Sequence, residues 1–119
     1  MRVPGPDHPI TIAPTAKRVR VTYAGKVIAD STSALTLKEA SYPPVQYIPR
    51  ADVAVELLKP TAHASHCPYK GDANYFSIRV DGRTAENAVW SYERPFPAMA
   101  EIKDYLAFYP NRVDRIEEG

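Results

Sequence analysis

His66-Cys67-Pro68-Tyr69-Lys70-Gly71 places an imidazole, a thiol and an ammonium in one short stretch. A cation beside a thiol lowers its pKa and enriches the nucleophilic thiolate, so Cys67 next to Lys70 has the makings of a nucleophile. The competing reading is a small buried hydrophobe in a proline-stiffened loop, with Lys70 in water. His63, His66 and Cys67 are metal-ligand types, but no second half of a zinc motif occurs elsewhere, so no metal site is expected. A second constellation surrounds an extended, tyrosine-rich segment: Glu39, Arg50 and Asp52, with Lys70 from the later loop and Tyr42, Tyr47, Tyr75 and Tyr92. Brought together, these residues would form a polar pocket with aromatic walls, the usual form of a small-ligand site. Arg50 and Lys70 would bind an anionic group, and Glu39 or Asp52 would orient them or act as general base. The tyrosines would stack on the ligand or hydrogen-bond to it. The same residue types equally make a closed ion-pair network that only stabilises the fold. A third cluster, Trp90-Ser91-Tyr92-Glu93-Arg94, is an aromatic strand end in which Trp90 reads as core.

Short strands must position these groups. Twelve prolines, spread along the chain, exclude a long central helix. Val19, Val21 and Tyr23 alternate with Arg18, Arg20 and Thr22, the period-2 signature of a half-buried strand, and Ala24-Gly25-Lys26 turns the chain into Val27-Ile28-Ala29. Leu35, Leu37 and Glu39 share one face of the next strand. A carboxylate ending an apolar row must either emerge into water or meet a partner such as Arg50, Lys70 or a tyrosine hydroxyl. Residues 42–49 run extended around Pro43, Pro44 and Pro49, and Asp52 is placed to cap a short helix over Val53 to Leu58 that Pro60 stops. Residues 63–71 read as a loop. Phe76, Ile78 and Val80 alternate up to the hairpin turn Asp81-Gly82, and residues 86–92 return as the partner strand. A single helical turn over 98–103, a strand at Leu106-Ala107-Phe108-Tyr109 and a last short strand around Val113 and Ile116 follow.

The expected organisation is an N-terminal arm (1–15), one β-rich domain (16–116) and a solvated tail (117–119). The fold class expected is mainly β: a single domain of short antiparallel strands and hairpins with one short helix. At 119 residues there is room for one core, and the 45% apolar share is enough to form it. A net charge of +1, with the longest basic cluster only Lys17-Arg18 and Arg20 on an alternating strand, carries no specific nucleic-acid signal. One cysteine excludes an internal disulfide. No stretch approaches the ~20 apolar residues of a membrane span, and residues 1–9 lack the apolar run of a signal peptide, so a cytoplasmic protein is expected. The sequence leaves the cofactor unknown.

Several separated motifs occur in order: Ala29-Asp30-Ser31, Leu37-Lys38-Glu39, residues 42–53 (YPPVQYIPRADV), residues 67–73 (CPYKGDA), Trp90-Ser91-Tyr92 and Ala107-Phe108-Tyr109. Together they resemble the domain of unknown function 427 family, also described as nucleotidyltransferase-like, over about Arg18 to Val113. The resemblance implies a β-rich fold similar to the Mss4-like β-tent arrangement of antiparallel sheets. Nucleotidyl transfer needs two or three carboxylates holding Mg²⁺ beside a glycine-rich phosphate turn, and the chain shows neither pattern. The expected function is binding of a small anionic ligand in a pocket lined by Tyr, Arg, Lys and Glu, with Cys67, Lys70 and Glu39 as the residues that would carry any catalysis. The alternative is an interaction module whose motif residues hold an irregular fold.

Overall fold

The computed structural model describes residues 1–119 and contains ten strands in three antiparallel sheets. The first sheet has the order β1-β4-β5, from Ile10–Pro14, Leu35–Glu39 and Val45–Tyr47. The second has the order β10-β2-β3, from Arg115–Glu118, Val19–Tyr23 and Lys26–Ser31. The third has the order β6-β7-β8-β9, from Leu58–Cys67, Gly71–Val80, Arg83–Ser91 and Ala107–Phe108. The chain is therefore mainly β, as its alternating pattern and prolines require. No helix is long and apolar enough to cross a membrane.

The two hairpins read from the sequence form at tight two-residue turns. Tyr23 pairs with Lys26 around Ala24-Gly25, and Val80 pairs with Arg83 around Asp81-Gly82. All four turn residues have positive φ, the mirror-image turn geometry whose twist matches the flanking strands. Lys26, expected in the first turn, is already in β3.

Four local expectations differ from the structure. Residues 10–14, assigned to the arm, form β1, pairing from Ile10 opposite Glu39 to Pro14 opposite Leu35. Ile10 and Ile12 pack against a core cluster, and Pro14 stands at the strand end, where a missing N–H costs least. At the other end Glu117 and Glu118 continue β10, opposite Arg20 and Val19, rather than trailing as a tail. The stretch 63–67 belongs to β6, leaving only Pro68-Tyr69-Lys70 as the turn into β7. The helix expected over 53–58 is replaced by two 3-10 turns, Arg50–Asp52 and Val55–Leu57. Val53 is extended and bridges Ala29 of β3, so sheet pairing claims the backbone that a helix would have used. Asp52 makes no cap; its Oδ2 accepts a 2.6 Å hydrogen bond from the Ser31 hydroxyl. A further 3-10 segment, Pro97–Ile102, buries Met99 and Ile102.

β7 runs through two chemically distinct cores. Its C-terminal half gives Phe76, Ile78 and Val80 to a largely aliphatic cluster with Val19, Val21, Ile28 and Val89. Its N-terminal half gives Ala73 and Tyr75 to a second cluster with Leu37, Tyr47, Tyr92 and Ile102. The second cluster carries phenol hydroxyls, and polar groups enter a core only where they find partners or a solvated opening.

Gly71 opens β7 at φ +111°, and a Cβ built there would lie 3.3 Å from the Arg94 carbonyl oxygen. Close approach of the 94–96 backbone, where the Phe96 N–H donates to the Lys70 carbonyl at 3.0 Å, thus requires glycine. Gly71→Ala is expected to cost about 1–3 kcal/mol in urea unfolding. Gly5→Ala, in open space at ordinary φ, should stay within about 0.5 kcal/mol of wild type. Equal effects for the two would contradict the packing described here.

Candidate functional site

Glu39 ends β4, and Lys70 is the last residue of the turn joining β6 to β7. The Lys70 ammonium donates to Glu39 Oε1 at 2.5 Å, with side-chain exposures of only 10% and 16%. The other carboxylate oxygen, Oε2, lies 2.8 Å from His8 Nε2. Burial alone would raise the Glu39 pKa; the hydrogen bonds from Lys70 and His8 outweigh it and hold the carboxyl below its ordinary range. The question left by the sequence, what meets a carboxylate on an apolar row, is answered by Lys70 and by a histidine from the N-terminal segment. Lys70 Nζ also lies 3.7 Å from Cys67 Sγ and 5.9 Å from the centre of the Tyr92 ring.

This pair floors a cleft of about 180 Å³ whose walls include Leu37, Tyr42, Val45, Tyr47, Tyr75, Trp90, Tyr92 and Tyr109. The Trp90 indole N–H donates to the Tyr47 hydroxyl at 3.3 Å, with the rings edge to face. Tyr75 shares a 2.8 Å hydrogen bond with the Ser65 hydroxyl and a longer 3.4 Å contact with the Tyr109 hydroxyl. Trp90 and Tyr109 pack at 4.4 Å between centroids. Burial pushes the Tyr47 and Tyr92 pKa values well up, and burial with the Tyr75 neighbour pushes Tyr109 up to about 12. At neutral pH these groups are therefore fixed O–H donors. Tyr47 accepts from Trp90, so its own proton is free, and the Tyr92 hydroxyl makes no hydrogen bond within the protein although the residue is 6% exposed.

Of the residues singled out in the sequence, Glu39, Tyr42, Tyr47, Lys70, Tyr75 and Tyr92 come together in this cleft. Tyr42 stands at its rim, 64% exposed, and Cys67 lies behind Lys70. Arg50 and Asp52 do not join them. Ile48 and Leu106 exchange both backbone hydrogen bonds, at 2.8 Å each, and beyond this bridge Arg50 faces another edge of the molecule. There its Nε donates to the Asp104 carbonyl at 2.7 Å and its Nη2 to Ser91 and Glu93, with the guanidinium 5.5 Å from the Phe76 ring centre. Arg50 is thus a structural tie, as is Asp52 through Ser31. His63 packs on Tyr75 and His66 pairs with Asp72, so neither converges with Cys67 on a common point.

Trp90, read as core, is a cleft wall, and His8 and Tyr109 were not singled out as site residues. The strand alternation at Ala107-Phe108-Tyr109 does place Tyr109 opposite to Phe108 and was a usable signal. No local pattern marks His8; it is set beside Glu39 by the β1–β4 register. A larger groove of about 410 Å³ lies across Val45 and Trp90, lined by Val21, Ile48, Phe108 and Ile116 with Gln46, Arg115 and Glu118. Its charged groups are exposed and it has no buried polar floor, so the smaller cleft holds the chemistry.

Two pH responses follow. Glu39 has a lower pKa folded than unfolded, so the unfolded chain takes up its proton first on acidification. Its stabilising contribution is full above the unfolded value, about 4.3, and is lost as pH falls through the folded value. Glu39→Gln should flatten that part of the stability–pH curve, and an unchanged slope would contradict the assignment. Lys70→Met, which leaves Glu39 with His8 alone, is expected to cost about 1–3 kcal/mol at neutral pH. On the alkaline side, Tyr47 and Tyr92 have raised folded pKa values, so their contribution is full below about pH 10 and is lost above it. Absorbance titration should show these two of the eight phenols silent until the chain unfolds. Eight ordinary titrations with the fold intact would refute the burial described.

Residues 11–119 match the model of a family described as a domain of unknown function, DUF427. No curated protein matches the chain. The matched stretch takes in all ten strands except Ile10, the first residue of β1, and both members of the Glu39–Lys70 pair, while His8 precedes it. By this match across nearly its whole length, the chain belongs to the DUF427 family.

Proposed function

We propose that the tyrosine-lined cleft binds a small molecule of about one ring that presents an acceptor oxygen, a carboxylate or a carbonyl. The observation that carries this reading is the Tyr92 hydroxyl: a donor without a protein partner on an otherwise buried side chain, its oxygen open to a cleft floored by a buried ion pair. An acceptor oxygen on a ligand would replace cleft water as the partner of this O–H, a hydrogen bond worth about 0.5–1.5 kcal/mol net. Tyr47 supplies a second O–H, and Trp90 with Tyr109 the flat apolar faces.

Charge and size narrow the ligand. Glu39 compensates Lys70 and Arg50 is held elsewhere, so the cleft offers no surplus cation and favours a neutral or singly anionic group over a phosphate chain. Ordinary ligand pockets run from roughly 300 to 1,000 Å³. At about 180 Å³ this one suits a single ring and is too small for a nucleotide.

Trp90 is the sole tryptophan, so its fluorescence reports the cleft directly. Benzoate and other one-ring carboxylates are expected to change it saturably, whereas ATP with Mg²⁺ is not. Tyr92→Phe should weaken the binding about five- to tenfold, the worth of one hydrogen bond of about 1–1.5 kcal/mol. If no one-ring carboxylate or carbonyl compound binds, while Lys70→Met and Tyr92→Phe change only stability, the residues serve the fold and the interaction-module reading replaces this one.

A further inference from the structure

We propose that the niche between Tyr69 and Glu39 is a binding site for a small planar nitrogen heterocycle with an N–H donor, and that His8 is its built-in occupant, carried there by a displaceable strap, Arg2–Pro9. This goes beyond the oxygen-acceptor cleft, because it concerns the opposite oxygen of Glu39.

The imidazole of His8 is held as a ligand would be. Its face lies on the Tyr69 ring at 4.1 Å between centroids and 5° between planes. Its edge nitrogen, Nε2, is 2.8 Å from Glu39 Oε2. A flat aromatic face and one carboxylate oxygen together recognise a planar ring bearing an edge N–H. The strap itself is lightly attached. Its backbone contacts are the Arg2 N–H to the Pro68 carbonyl at 2.7 Å, a Gly5–His8 pair at 3.0 and 3.3 Å, and the Ala40 N–H to the Pro9 carbonyl at 2.8 Å. Most of its residues are exposed. The family match begins at residue 11, so Tyr69, Glu39 and Lys70 lie within the shared stretch and the ring that fills the niche lies outside it. The niche belongs to the scaffold; its occupant is supplied by this chain's own N-terminal segment.

Displacing His8 would free one oxygen of a carboxylate that Lys70 keeps ionised and would extend the cleft past Glu39 to the Tyr69 face. A tethered occupant competes at the high effective concentration of a short linker, so a free heterocycle meets the wild-type niche only in the fraction of molecules with the strap open.

The test uses free imidazole at a pH where it is neutral, added to the full chain with ¹³C-labelled glutamate side chains. In His8→Ala, imidazole is expected to shift the Glu39 carboxyl and Tyr69 ring resonances saturably, at least about tenfold more tightly than in wild type. It should also return the Glu39 titration, moved upward by the loss of His8, toward its wild-type position. His8→Phe keeps a ring on Tyr69 without the N–H; it should show the raised Glu39 titration and take up no imidazole. Backbone resonances report the fold in each variant. Equal imidazole shifts in wild type and His8→Ala, no shift in His8→Ala up to about 50 mM, or an unchanged Glu39 titration in both variants overturns the proposal. The readout is separate from Trp90 fluorescence with benzoate, so either binding reading can fail while the other stands.

Discussion

Placing an ammonium and a carboxylate nine-tenths and more than eight-tenths out of water, at Lys70 and Glu39, demands a surrounding structure that few other features of the chain demand. Desolvation costs several kcal/mol per ion, and Coulomb attraction repays it only when geometry is good and the remaining lone pairs are met. Each neighbouring element serves that condition. β1 pairs with β4 and brings the segment carrying His8 onto the second carboxylate oxygen. Gly71 lets the 94–96 backbone close on the turn that carries Lys70. The Tyr92 ring then lies under the ammonium. The ion pair does not stabilise the fold by itself; it specifies how three separated segments must meet.

The two cores divide the labour of the molecule. The largely aliphatic cluster between the second and third sheets is the larger one and contains no charged group, which suits it to supply most of the hydrophobic free energy. The tyrosine-bearing cluster is partly open, and three of its hydroxyls are tied: Tyr47 to Trp90, and Tyr75 to Ser65 and Tyr109. The Trp90 hydrogen bond holds Tyr47 and packing holds the Tyr92 ring, so the two donors are preorganised and ligand binding costs little further ordering. Because β7 contributes side chains to both clusters, the two cores are tied through one strand.

Arg50 shows how the same chemistry serves different ends. A guanidinium amid acids and tyrosines in the sequence has the profile of an anion binder, yet its planar fork here spans a carbonyl, a hydroxyl and a carboxylate on segments far apart in the chain. With Arg50 committed to tying the Asp104 turn and the end of β8 together, the cleft keeps a single, compensated cation. That balance, more than the shape of the cleft, sets the charge of the ligand it can hold.

The sequence by itself determined the mainly β class, the faces of β2, β4 and β7, the Asp81-Gly82 turn and the family, because period-2 alternation, positive-φ turn chemistry and motif order are local properties that packing does not rewrite. It also marked most of the cleft, since Glu39, Lys70 and the tyrosines are types that need partners when they end an apolar row. Only the tertiary structure decided which partners they have. Whether Lys70 or Arg50 met Glu39 depended on the Ile48–Leu106 bridge turning the chain away, and the arrival of His8 depended on a register between strands some thirty residues apart. The helix expected after Asp52 was likewise lost to a long-range pairing, Val53 with Ala29, that outweighs local propensity.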